Sequence, residues 1–272
     1  MLKNFLSQAE VSSAQDEVEN VILSSRETAC VRPHNTLLPL RWNDAVVELF
    51  LQSQRRVQVL QDAVGAKDLK WISGYVSIKE PQSGALWWHQ DWWCWQHPAS
   101  FQKPASQIAV MCYLTSTTTQ TGALRVLPHS HHKSSPLHAF LPEAHARAAH
   151  QIAPDPVAMN DHPDQTTLNL EAGDAVAIDY RLLHGTHPNA SLKRRDCVLL
   201  TFTPSWCDLP DDLKGHLISH QAFLCDEGAL SAAQEQQFAE LKRRIEKLRP
   251  DLERHGLLEP RLDWSRTGDD RP

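Results

Sequence analysis

The chain has 272 residues, a formal charge of −6 and 41% hydrophobic residues, a balance that buries a core rather than staying disordered. With 33 acidic against 27 basic residues and no long basic stripe, a nucleic-acid partner is not expected, and no run approaches the ~18 apolar residues of a membrane span. The stretch MLKNFLSQAEVSSAQDEVEN turns polar too soon for a secretory leader, and none of the six scattered cysteines forms a CxxC pair, so reduced thiols in a cytoplasmic protein are expected.

Residues 5–24 read as an amphipathic helix. A second is predicted from Trp42-Asn43-Asp44 to about Val64, capped by Asn43 or Asp44, with Val46, Val47, Leu49, Phe50, Val57, Leu60 and Val64 at helical spacing. From Lys70 the period becomes two: Ile72, Val76 and Ile78 point one way, Ser73, Tyr75, Ser77 and Lys79 the other, which predicts a half-buried strand. A loop, EPQSGA, leads into WWHQDWWCW. Strands are expected over 107–115, 123–127, 175–180 and 195–203, a short helix over 138–150, an exposed loop over 153–167, and a loop over RLLHGTHPNASLKR. LSAAQEQQFAELKRRIEKL (230–248) reads as an amphipathic helix that packs on the body, its apolar stripe otherwise serving as a dimer contact or lid. Helices followed by short spaced strands predict a mainly β sandwich or barrel with flanking α-helices, not a doubly wound sheet.

Chemistry is sought first at His89-Gln90-Asp91. Residues i and i+2 of an extended segment project to one side, so an imidazole and a carboxylate can reach one metal ion. That is two-thirds of the facial triad of a non-haem Fe(II) centre. The pattern alone is weak. Random placement of 15 His and 33 acidic residues already yields about two such pairs, and a second, His162/Asp164, lies in the polar loop. The first pair has a strand before it and Trp87, Trp88, Trp92, Trp93 and Trp95 around it. His184, in a Leu-Leu-His-Gly-Thr segment after AVAIDY, is the best third ligand, with His187 the alternative. Thr186 and Arg195 then suit the far end of a dicarboxylate, with Arg194 competing for the anchor because neighbours on a strand face opposite ways. Ser77, on the polar face of its strand, is a further candidate contact, and Trp92 and Trp95 are candidate substrate contacts, although large aromatics more often pack. His129, His131 and His132 are read as turn and surface residues, and Cys94 as structural.

WWHQDWW, GALRVLPHSH and GD-x4-D-x-RLLHGTHPN-x5-R together resemble the phytanoyl-CoA dioxygenase family over roughly residues 70–205. The resemblance implies a double-stranded β-helix (jelly-roll, cupin-like) core and an Fe(II)- and 2-oxoglutarate-dependent oxygenase. It implies His89, Asp91 and His184 as iron ligands, Arg195 as the 2-oxoglutarate anchor and Thr186 as an assisting hydroxyl. A carboxylate at Asp91 implies hydroxylation rather than halogenation. The expected reaction consumes O2 and 2-oxoglutarate, releases succinate and CO2, and hydroxylates an unactivated C–H bond of a small molecule. One departure stands out: the family's Pro-Gly-Ser-His is Pro128-His129-Ser130-His131 in this chain.

A single domain over 1–272 is expected, divided into an N-terminal helical region (1–68), the catalytic core (69–206) and a C-terminal helical extension (207–272). The expected partner is a small-molecule substrate, with no nucleic acid or membrane, and the chain a monomer or homodimer. Two other readings compete: a cupin-like metal- or ligand-binding module or regulator without turnover, and a protein hydroxylase, which would need an open groove. No G-x-S-x-G or G-x-G-x-x-G supports a serine hydrolase or a nicotinamide enzyme.

Overall fold

The computed structural model describes residues 1–24, 30–32, 35–41, 44–95, 97–141 and 155–218; the expected 230–248 helix and most of the 138–150 helix lie outside them. Two antiparallel sheets form the body. The larger has the order β1-β2-β3-β10-β5-β8, built from Cys30–Arg32 (β1), Asn35–Leu40 (β2), Lys70–Lys79 (β3), Ile108–Tyr113 (β5), Ala175–Asp179 (β8) and Arg195–Thr203 (β10). The smaller has the order β4-β9-β6-β7, from Leu86–His89 (β4), Leu124–Val126 (β6), Thr166–Leu168 (β7) and His184–Thr186 (β9). Their facing surfaces make the jelly-roll that the sequence implied.

The N-terminal part differs from a purely helical region, since β1 and β2 extend the larger sheet through β2–β3 pairing. α1 (Gln8–Ser24), α2 (Ala45–Leu51) and α3 (Gln54–Val64) cover that sheet's outer face. The expected second helix is thus two. Ser53 adopts an extended backbone and accepts a hydrogen bond from Arg56 N at 3.3 Å, so it caps a new helix instead of continuing the old one. Asp44 stands at the cap position of α2, but its carboxylate accepts from Arg41 N rather than from the helix. Buried Arg56 donates to Leu49 O (2.7 Å) and Phe50 O (3.0 Å), terminal carbonyls of α2, and to Glu10 of α1, which fixes the three helices to one another.

β3 is buried on both faces, not one. Its register with β10 slips between Thr201 and Phe202, so Trp71 joins Val76 and Ile78 under the helices while Ile72 turns into the space between the sheets. Ser73, Tyr75, Ser77 and Lys79 share that inward face by strand alternation. The inter-sheet core gathers Met111, Tyr113, Leu124, Val126, Val176 and Ile178 with Trp92, Trp93 and Trp95, and α5 (Asp211–Ile218) closes it with Leu213 and Leu217. The expected exposed loop at 153–167 holds a one-turn helix, α4 (Pro156–Met159), whose Ala158 packs on Leu86 and Trp87, and then β7. The expected loop after AVAIDY contains β9, because His184–Thr186 is short but paired on both sides.

The Pro128–His131 turn carries His129 where the family has glycine. His129 occupies a left-handed backbone (φ 68°) that glycine adopts at no steric cost. His129→Gly is expected to stabilise the fold by up to about 1 kcal/mol, read as a rise of a few degrees in Tm.

Candidate active site

The β4–β9 ladder sets the centre. His89 and His184 are direct cross-strand partners, so their side chains leave the same face of the smaller sheet, with ring centroids 4.2 Å apart. Two residues beyond His89, Asp91 is held by its own backbone: Asp91 N and Trp92 N both donate to Tyr180 O, at 3.0 and 2.9 Å. The Asp91 carboxylate lies 3.8 Å from His89 Nε2 and 3.5 Å from His184 Nε2. One ligand atom from each of the three falls within 4.8 Å of the others. Gln90, between the ligands, turns away and donates to Arg181 O.

The imidazoles are oriented from behind. His89 Nδ1 faces Trp87 O at 2.9 Å and His184 Nδ1 faces Leu182 O at 3.0 Å. A ring nitrogen against a carbonyl carries the hydrogen, which leaves each Nε2 lone pair aimed at Asp91. Two nitrogens and a carboxylate converging from one side suit a mononuclear iron with coordination positions left for other ligands. The competing residues are used elsewhere. His187 bonds Thr167 Oγ1 at 2.8 Å, and His162 joins a turn with Asp164, whose side chain is 83% exposed.

Supports converge on these strands. Fully buried Arg125 of β6 donates to Leu86 O, Met159 O, Asn160 O and Asp161 Oδ1, with its guanidinium 4.7 Å from the Trp88 ring centroid, tying β4 to the segment after α4. Buried Ser130 donates to Leu127 O (2.7 Å) and accepts from Leu183 N (2.8 Å), one residue before His184. Arg181, paired with Asp179, donates to Ser100 O and Gln102 O and anchors the segment after the tryptophans.

Arg194 and Arg195 separate by strand alternation. Arg194 points outward to Asp196 and Glu19. Arg195 is buried, its guanidinium 5.6 Å from the Tyr113 ring centroid, and its Nε has no hydrogen-bond partner. Buried Thr186 Oγ1, two residues from His184 on the same face, is likewise unpartnered. Orphaned buried donors are costly, and a carboxylate supplies the missing acceptors, so these residues fit a dicarboxylate that reaches them from the metal side.

Ser77 faces inward, with its hydroxyl donating to Asn35 Oδ1 at 3.3 Å. Trp92 and Trp95 lie in the inter-sheet core, and the Trp92 indole N–H is directed at Ser100 Oγ (2.8 Å) and Cys94 O. Cys94, Cys112, Cys197 and Cys207 are free thiols, and burial pushes the Cys197 thiol up to about 12. Among the described residues no helix is long and apolar enough to cross a membrane.

Sequence reasoning missed Lys79. It is completely buried on the inward face of β3, directly opposite Arg195. Burial, followed by the charges of Arg195 and Arg125, lowers its pKa to about 7. The available signal was a lysine at the inward register of an apolar strand, in step with Ser73, Tyr75 and Ser77.

A jelly-roll that brings a His-x-Asp…His set together beside a buried arginine is the arrangement that the family resemblance implied. The chain belongs to the phytanoyl-CoA dioxygenase (PhyH) family, whose model matches residues 1–197. L-proline trans-4-hydroxylase of Streptomyces griseoviridis is 28% identical over 145 residues, 47% of this chain and 52% of the relative, so the chain matches about half of that curated relative's length. Two solved structures share the fold. The non-haem 2-oxoglutarate-dependent epimerase SnoN from nogalamycin biosynthesis has a TM-score of 0.54 and 16% identity, over 74% of this chain and 76% of its own. HygX of Streptomyces hygroscopicus, crystallised with nickel, 2-oxoglutarate and hygromycin B, has a TM-score of 0.56 and 16% identity, over 75% of this chain and 82% of its own.

Two outcomes follow from the supports. Ser130→Ala leaves Leu183 N without its acceptor and is expected to destabilise the fold by about 1–3 kcal/mol and weaken metal affinity, read by denaturant melts and metal titration. Lys79 has a folded pKa below that of the unfolded chain, so between about pH 7 and pH 10 the unfolded state binds more protons and stability rises with pH. Tm measured from pH 7 to 9 is expected to climb more steeply in the wild type than in Lys79→Met, which lacks that titration.

Proposed function

We propose that this chain is an Fe(II)- and 2-oxoglutarate-dependent dioxygenase that hydroxylates an unactivated C–H bond of a small organic molecule. The observation that carries the reading is the His89–Asp91–His184 set together with two buried, unpartnered donors, Arg195 Nε and Thr186 Oγ1. In it, His89, Asp91 and His184 hold the iron, and Arg195 with Thr186 binds the far carboxylate of 2-oxoglutarate. When bound, the iron supplies the oxygen activation, coupled to conversion of 2-oxoglutarate to succinate and CO2.

The chain's own residues orient and enclose. The carbonyls of Trp87 and Leu182 keep both Nε2 atoms directed at the metal position. The tryptophan-rich wall excludes water from the reacting centre. The indole N–H of Trp92 being committed, Trp92 and Trp95 would meet a substrate through apolar ring faces. The likeness to a proline hydroxylase and to enzymes of natural-product assembly supports a small-molecule substrate, and free L-proline and other amino acids are the first to be screened.

Anaerobic titration of the protein with Fe(II) and 2-oxoglutarate is expected to give the weak visible charge-transfer band of the chelated co-substrate. His184→Ala should lack it while retaining the fold. Arg195→Ala should require about 10- to 100-fold more 2-oxoglutarate, the equivalent of ~1.5–3 kcal/mol for a charge-assisted pair, whereas Arg194→Ala should titrate like the wild type. A folded wild-type protein without the band overturns the assignment. Screening then follows succinate release and incorporation of one oxygen atom from O2 into the product.

A further inference from the structure

We propose that Lys79 is a second cationic contact for the distal carboxylate of 2-oxoglutarate, standing beside Arg195 and given its room by the bare backbone of Gly122. This rests on the reading of 2-oxoglutarate as co-substrate.

Three observations place Lys79 at that end of the site. The β3–β10 register sets it directly across from Arg195, so both leave the same inward face. Its side chain is wholly buried, and Nζ donates to Gly84 O at 2.7 Å, which turns the ammonium end back into the protein. Gly122 lies against its stem. A Cβ built there would be 2.5 Å from Lys79 Cδ, 3.0 Å from Cε and 3.6 Å from Arg195 Nε, and φ at this position is +77°. The same glycine therefore borders both cations, and a side chain there would push the lysine aside.

Charge supplies the reason for a ligand. Among the described groups, Arg195 of β10 and Arg125 of β6 act on Lys79, and Lys79 acts on His187 after β9, while Tyr113 of β5 and Cys197 of β10 lie in the field of Arg195. Tyr113 and Cys197 stay neutral, since burial raises both, and the positive charge of Lys79 contributes to holding His187 neutral. Asp161 sits on Arg125, with its side chain 67% exposed. Burial first, and then repulsion from Arg195 and Arg125, lead the lysine to give up its proton near neutral pH. A carboxylate arriving at Arg195 reverses that balance. The lysine then takes a proton from solvent and makes a charge-assisted bond to the same anion. A dicarboxylate is recognised at this end, and a monocarboxylic 2-oxo acid is not.

The test is calorimetric titration of 2-oxoglutarate into the Ni(II)-loaded full chain at about pH 8, in two buffers of different ionisation enthalpy. The wild type should take up about one proton per 2-oxoglutarate bound, and His187→Gln should retain that uptake. Lys79→Met should bind about 10- to 100-fold more weakly with the uptake gone, and Lys79→Arg should recover most of the affinity without it. If Lys79→Met fails to fold, the wild-type and His187→Gln titrations decide: uptake in both supports the contact, and its absence from either overturns it. Wild-type binding without proton uptake, together with full affinity in Lys79→Met, overturns the role of Lys79 and leaves the co-substrate reading standing. No binding of 2-oxoglutarate by the wild type overturns both.

Discussion

The pairing of β4 with β9 is the constraint on which the rest depends. It is short and irregular, yet it makes His89 and His184 opposite partners and so sets the separation of the two imidazoles. Neither strand could hold this register unaided. Arg125 binds the carbonyl of Leu86 at one end, Ser130 receives the amide of Leu183 at the other, and Tyr180 O pins Asp91 between them. Each support is a side chain or carbonyl from a different segment, so the geometry of three ligand atoms is distributed over most of the jelly-roll.

The two sheets divide the work. The smaller carries His89 and His184 at the ends of short strands, braced by side-chain bonds to backbone from Arg125 and Ser130. The larger carries the cations, on long strands backed by the core under α1, α2 and α3. A buried guanidinium is tolerable only in a rigid surround, and β10, paired with β3 from Arg195 to Thr203 and with β5 from Cys197 to Phe202, provides one. Helix packing behind the larger sheet is thereby connected to anion binding in front of it.

Much of this was legible in the sequence. His89 and Asp91 stood out because the pair follows a strand and is ringed by tryptophans, and alternation allowed only one of Arg194 and Arg195 to point inward, the spacing from His184 favouring Arg195. Period-two alternation located β3, and apolar runs between turn signals located β5, β8 and β10. What escaped was governed by partners rather than by local pattern. β9 reads as loop because three residues carry no periodicity, and it is a strand only because β4 and β6 flank it. The break between α2 and α3 depends on one serine cap within a continuous apolar pattern. Ile72 changed sides through a register slip that its own sequence does not encode. Lys79 read as part of the polar face of a half-buried strand, and its burial involves Gly122, more than forty positions away.

Cys112 and Cys197, on the adjacent strands β5 and β10, are buried thiols whose ionisation is strongly disfavoured. The thiolate is the form that oxidants attack, and sulfenic acid and its successors would place polar bulk inside a close-packed sheet. Held protonated, both sulfurs are poor targets for oxidants. Desolvation acts in opposite senses on the two kinds of group: it draws a proton from Lys79 and holds one on each sulfur, on Cys112 under the helices and on Cys197 between the sheets.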